Sequence, residues 1–258
     1  MPAAFPKGFR AFYIMKYELT QGAYADFLNQ IPEPAQNFRA IHAGVDYYKQ
    51  RGSIRVVDSR FVAEAPARPA NWVSWNDSIA FADWAGLRPL TEFEYSKASR
   101  GPDEPQANDF PWGTASKDRL KRVIAAPVDD LVTTGDSDET KLTDANRDVF
   151  GASFYWVMDL AGSVWERVVT PAHARGRTFQ GTHGDGRITQ YGSATNEDWP
   201  KGDEALGGFG YRGGGYYAHG FAAGEFNPHS RTEWRRFGAW GDGPRAVAYG
   251  FRACRTAP

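Results

Sequence analysis

The chain is almost without sulfur for covalent work. Cys254 is the only cysteine in 258 residues, so no internal disulfide can form. The framework of a small disulfide-stapled secreted domain is thereby excluded. Long apolar runs are also missing. Nothing approaches the ~18 residues of a membrane helix, and the N-terminus MPAAFPKGFRAFYIMKYE has no apolar centre followed by a cleavage site. We therefore expect no membrane insertion, in a protein that is cytoplasmic or exported with a signal absent from this sequence. Net charge is lacking as well. Thirty Lys+Arg against 31 Asp+Glu leave −1, which gives no reason to expect nucleic acid as a partner. No G-x-S-x-G elbow of a Ser–His–Asp hydrolase occurs, and no internal repeat.

Aromatic residues and turn formers are plentiful. Aromatics make up 15% of the chain, with nine tryptophans, and there are 28 glycines and 16 prolines. Rigid rings with many turn formers suggest loops that pack on one another. Disorder is not expected of such a composition. Trp72, Trp75, Trp84, Trp112 and Trp165 are expected to be core.

The first hundred residues carry helix signals. AFYIMKYELT reads as a strand. TQGAYADFLNQ reads as a helix with Thr20 as cap and Tyr24, Phe27 and Leu28 on one face. Residues 33–70 look irregular, apart from a hairpin through SIRVVDSRFVAE. Ser74 with Asp77, and Thr91 with Glu94, predict capped starts for two further helices. After Gly101 the signal changes to short aromatic strands joined by long loops. Helices early and strands late predict an α+β domain over 1–258.

Several motifs have plain explanations. GFGYRG, Gly208–Gly213, matches G-x-G-x-x-G, but no helical segment comes after it, as a dinucleotide site requires. WND, Trp75–Asp77, sits where Asn and Asp cap a helix. GTHGDG places His183 and Asp185 in a tight glycine loop. His219 and His229 lie near Glu225 and Glu233, and two histidines with a carboxylate can form an open iron site. Arg212–Pro258 holds seven arginines, no lysine and three acids. That surplus reads as a solvated basic face, or as attraction for an acidic ligand.

An ordered set of segments adds to this reading. FYIMKYELTQGAYADFLN, PANWVSWNDSIAFADWAGLRPLTEFEYSKASRG, FPWGT, VMDLAGSVWERV, YRGGGYY and YGFRACR resemble the signature blocks of the formylglycine-generating-enzyme, or sulfatase-modifying factor, domain family. The resemblance runs from about residue 12 to residue 255. It implies one domain with a variant C-type lectin fold, its N- and C-terminal segments paired as strands. Oxidases of that family use two cysteines just after RGG, where thiolate binds copper. Here the segment reads RGGGYYAHGFAAGEFNPHSR and contains no sulfur. Family members that join thiols to histidine derivatives take iron ligands partly from an extra N-terminal helical domain; this sequence starts directly at the lectin-like blocks, so the resemblance implies that such a site would be incomplete here. The family's GNVWEW block binds calcium through hard oxygens. GSVWER keeps the acid as Glu166 but has Ser163 in place of the amide, so calcium is the only cofactor the resemblance implies, and on a weakened site.

What remains is ligand binding. The resemblance extends to the variable proteins of diversity-generating retroelements, whose C-terminal segment forms a display surface. Residues 213–249 would be that surface here. Tyr216, Tyr217, His219, Phe221, Phe226, Asn227, His229, Trp234, Arg235 and Trp240 are the expected ligand-binding residues, forming one exposed face for a protein or glycan. Tyr, Trp and Arg give large contact area and hydrogen bonds. The alternative is a divergent metal-dependent oxidoreductase using His219, His229 and an acid.

Overall fold

The termini meet. In the computed structural model, β1 (Phe12–Ile14) pairs antiparallel with the last strand of the chain (Ala253–Thr256), with Phe12 opposite Thr256 and Ile14 opposite Cys254. This is the pairing that the family resemblance implies. The structure describes residues 1–42, 45–120, 138–202, 206–216, 228–241 and 244–258.

The capped helices form where their signals lie. Thr20 accepts the Ala23 N–H and opens α1 (Gln21–Gln30). The stretch after Pro32, read as irregular, instead folds into α2 (Glu33–Arg39) and α3 (Val45–Lys49). Pro34 lies within the first turn of α2, where its missing N–H costs nothing. Next comes a hairpin of β2 (Ile54–Val57) and β3 (Arg60–Ala63). Complete capping boxes start α4 (Trp75–Trp84) from Ser74 and Asp77, and α5 (Glu92–Arg100) from Thr91 and Glu94, with β4 (Arg88–Pro89) between them. The Asn and Asp of WND are thus helix-start residues: Asp77 completes the box, and Asn76 Oδ1 accepts the Gly202 N–H at 3.2 Å.

Beyond Gly101 the described α-helices are single turns, α6 (Arg147–Phe150) and α7 (Ala174–Arg177), beside three 3-10 turns. The strands are β5 (Trp165–Val169), β6 (Phe209–Arg212), β7 (Tyr249–Gly250) and β8 (Ala253–Thr256). One sheet has the order β1-β8-β4 and another β6-β5-β7, in which β5 runs antiparallel to β6 and parallel to β7. The result is a mixed helix and strand fold, as expected.

Tryptophan fills the core. Trp75 stacks on Phe209 with ring centres 4.7 Å apart and donates its ring N–H to the Pro200 carbonyl at 2.8 Å. Trp75, Trp112 and Trp165 are buried, while Trp72 and Trp84 are half-buried against the main core. Charge is buried alongside them. Arg88, Arg167, Arg212 and Arg252 rank among the largest fully buried side chains. The arginine-rich C-terminal segment is therefore not one solvated face: Arg212 and Arg252 are interior, and Arg245 is paired with Asp77 at 2.7 Å.

Candidate functional site, an aromatic cavity

The glycine run packs onto a tryptophan. Gly213 has φ +87°, a region closed to most side chains. A Cβ on Gly215 would lie 2.5 Å from Cδ1 of Trp165, so only glycine fits over that ring. The Tyr216 N–H then bonds the Ser163 carbonyl at 2.7 Å, tying the run to the turn before β5.

On β5, Trp165 forms one wall of a cavity of about 110 Å³. Tyr211 on β6, Tyr249 on β7, His229, Phe237 and Trp240 complete its lining. The sheet order β6-β5-β7 is what gathers the first three. Trp165 meets Phe237 edge-on at 5.4 Å, Tyr211 lies 4.5 Å from Tyr249, and Phe237 lies 4.8 Å from Trp240. The buried Arg167 guanidinium sits 4.8 Å from the Tyr211 ring and 5.2 Å from the Tyr249 ring. It is held there by Val73 and Pro244 carbonyls at 3.1 and 2.9 Å. A cation under two rings fixes their tilt and makes the cavity wall rigid.

His229 is buried among rings, 5.1 Å from Trp165, 4.8 Å from Trp234 and 4.9 Å from Phe237. Burial first, and then Arg236, lower its pKa to about 4. At neutral pH its imidazole is uncharged.

The expected single exposed face is not what the described residues form. Tyr216 is 2% exposed. Its hydroxyl reaches the Gln50 carbonyl at 2.7 Å and the Val247 carbonyl, and accepts from Asn71 at 3.1 Å. Three polar partners in the interior hold it as a core tyrosine, and burial pushes its pKa up. His229 and Trp240 enter the cavity, and Trp234 is half-buried against His229. Arg235 is exposed but turns to Glu92, 2.6 Å away, and lines a different cavity. Tyr217, His219, Phe221, Phe226 and Asn227 lie outside the described residues.

Ser163 and Glu166 do not fit a calcium ion. Both Glu166 oxygens are taken by the Arg252 guanidinium at 2.9 Å, and the Ser163 carbonyl is taken by Tyr216. Calcium takes six to eight oxygens, and Glu166 would have to release a buried arginine to offer one. Among the described residues no group of three or more His, Cys, Asp or Glu side chains could hold a metal. Nor do the residues fit the copper of the family's oxidases. Cys254 lies in β8 beside Pro89 and Arg88, buried, and burial pushes its thiol pKa well up.

GFGYRG falls in β6, an antiparallel strand, and residues 214–216 beyond it are not helical. His183 is a structural contact: its Nε2 accepts the Thr256 N–H at 3.0 Å, tying the glycine loop to β8.

A helix and strand scaffold around a ring-lined cavity defines a class of site without naming its ligand. The sulfatase-modifying factor enzyme 1-like domain family matches residues 3–257, and the chain belongs to that family. It is similar to the formylglycine-generating enzyme of Thermomonospora curvata, 36% identical over 110 residues, covering 41% of this chain and 34% of that one. It is similar also to the formylglycine-generating enzyme of Bos taurus, 30% identical over 105 residues, covering 41% and 28%. An uncharacterised Bacillus subtilis protein is 26% identical over 167 residues, covering 60% and 33%. These matches therefore span about a third of each relative's length.

Tyr211 and Arg167 lie outside the expected segment, and Phe237 and Tyr249 lie within 213–249 but are not among the residues singled out there. Trp165 was expected only as core. The signal for Tyr211 and Tyr249 lay in the aromatic ends of strand-like runs, YRGGGYY and YGFRACR. Nothing in one sequence showed that they face the same space.

Proposed function

We propose that this chain is a ligand-binding member of its family, and that the aromatic cavity is where the ligand docks. The observation that carries the reading is the cavity's chemistry: six ring-bearing side chains, one of them an uncharged imidazole, stiffened by a buried guanidinium. An apolar void of about this size takes a single ring, as benzene enters an engineered cavity of ~150 Å³. One aromatic side chain of a protein ligand, or one sugar ring of a glycan, matches it. Trp240, 48% exposed, stands at the outer wall where a larger ligand would continue.

The meeting of β1 and β8 supports a lectin-like reading of the fold. The finer assignment runs along the same line: residues 213–249 would be the display segment of a retroelement variable protein. A reverse transcriptase gene and a near-identical template repeat beside the coding sequence would establish it, and their absence would remove it.

The oxidoreductase alternative assigns metal to His229, His219 and an acid. It predicts one bound iron or copper per chain in protein purified without chelators, lost in His229→Ala. The binding reading predicts instead saturable binding of a ring compound with no bound transition metal. Elemental analysis beside a phenol titration separates them.

A further inference from the structure

A second cavity carries charge rather than rings. It lies between the last turn of α5 and the turn at Thr232–Arg235, with the N-terminal segment at Lys7 as a third wall. Lys7, Lys97, Arg100 and Arg235 line it, against one carboxylate, Glu233. Lys97 and Arg100 also suit the C-terminal end of a helix. Lys7 and Arg235 have no such reason to be there.

Arg235 is prepared for a ligand. Its Nε is clamped to the buried Glu92 at 2.6 Å, and among the described residues its guanidinium makes no other hydrogen bond. The clamp fixes the plane of the fork and leaves its terminal nitrogens as donors, the edge that grips a carboxylate or phosphate with two bonds. Glu92 is also held by Arg212 at 3.5 Å, so its charge is already balanced. Lys7 has no ion pair among the described residues. Thr232 lines the same cavity, is 5% exposed, and its buried hydroxyl has no hydrogen-bond partner. A buried hydroxyl left unsatisfied is costly unless something completes it.

We infer that this cavity is an oxyanion site, in which the terminal nitrogens of Arg235, the ammonium of Lys7 and the Thr232 hydroxyl bind a phosphate, sulfate or carboxylate group. The inference is independent of the aromatic cavity and stands if that reading fails.

Inorganic phosphate and acetate are the probes, titrated by calorimetry and by thermal melting at constant ionic strength set with sodium chloride. Constant ionic strength keeps general screening the same at every point of the titration. We expect saturable binding of at least one anion. Phosphate alone assigns a phosphoryl or sulfuryl ligand, acetate alone a carboxylate. Arg235→Gln should weaken binding about tenfold or more, the usual worth of a charged hydrogen bond. Since that change also disturbs Glu92, Lys7→Ala, which touches no core group, should weaken it as well. Glu233→Gln should tighten it by removing the one repelling charge. No saturable binding of either anion, or binding unchanged in both Lys7→Ala and Glu233→Gln, overturns the site.

Discussion

Arg252 and Glu166 form a two-pronged ion pair in the interior, Nε to one carboxylate oxygen and Nη2 to the other, each at 2.9 Å. Arg252 also donates to the carbonyls of Met15, Lys16 and Met158. One side chain just before β8 thus ties β5 to the chain beyond β1. Removing the arginine leaves the Glu166 carboxyl buried without its partner, whether it stays charged or takes up a proton. Arg252→Met should therefore cost roughly 3–5 kcal/mol, read by denaturant unfolding. A loss below about 1 kcal/mol would mean the pair is not the tie described.

Glu18 should behave in the opposite way. It is buried beside Asp159 and Glu166, its Oε1 accepts the Val164 N–H at 3.1 Å, and its Oε2 has no hydrogen-bond partner. Burial first, then the two neighbouring acids, raise its pKa well above the ordinary 4.5. A raised folded pKa means that its contribution to stability is full below the unfolded value and is lost as pH rises through the folded one. Glu18→Gln should leave the melting temperature nearly unchanged at pH 4 and raise it at pH 8. A fall at pH 8 would contradict the assignment.

His229 has the reverse sign. Its pKa is lowered from 6.5 to about 4, so between those values the unfolded chain binds a proton that the folded chain refuses. Stability should drop as pH falls from about 6.5 to about 4. His229→Leu should remove that component, seen as the difference between the two melting curves across this window. Parallel curves would mean that the imidazole is not buried uncharged.

The helix starts could be read because capping is local. Thr20, Ser74 and Thr91 each bond a backbone N–H three residues on, and that pattern is visible in a string of letters. The pairing of β1 with β8 could be read only through the resemblance. The binding face was misread at Tyr216 because composition says nothing about direction. Its hydroxyl finds Gln50, Val247 and Asn71, all far away in sequence. Lys7, Lys97 and Arg235 lie on separate segments, and only the fold brings them to one cavity. α2 was missed because Pro32 and Pro34 look like breakers, although proline is tolerated in a helix's first turn.

Gly215 tests the floor beneath the cavity. A methyl there would lie 2.5 Å from Trp165 Cδ1 and 2.9 Å from its ring nitrogen. The indole has to move, and overpacking of this kind costs about 1–3 kcal/mol. Gly215→Ala should lower stability by that amount and change the fluorescence of Trp165, isolated with a Trp165→Phe control. An unchanged melt and spectrum would place the glycine run away from the ring.

The central claim is that the ring-lined cavity binds ligand, and phenol tests it most directly. Saturation-transfer NMR with phenol should show saturable contact with the wild-type protein. Trp240→Ala should abolish that contact or weaken it severalfold. Because Trp240 is half exposed, its removal should cost only about 1 kcal/mol of stability or less. No saturable contact with the wild type, or equal contact in a well-folded Trp240→Ala, would contradict the account.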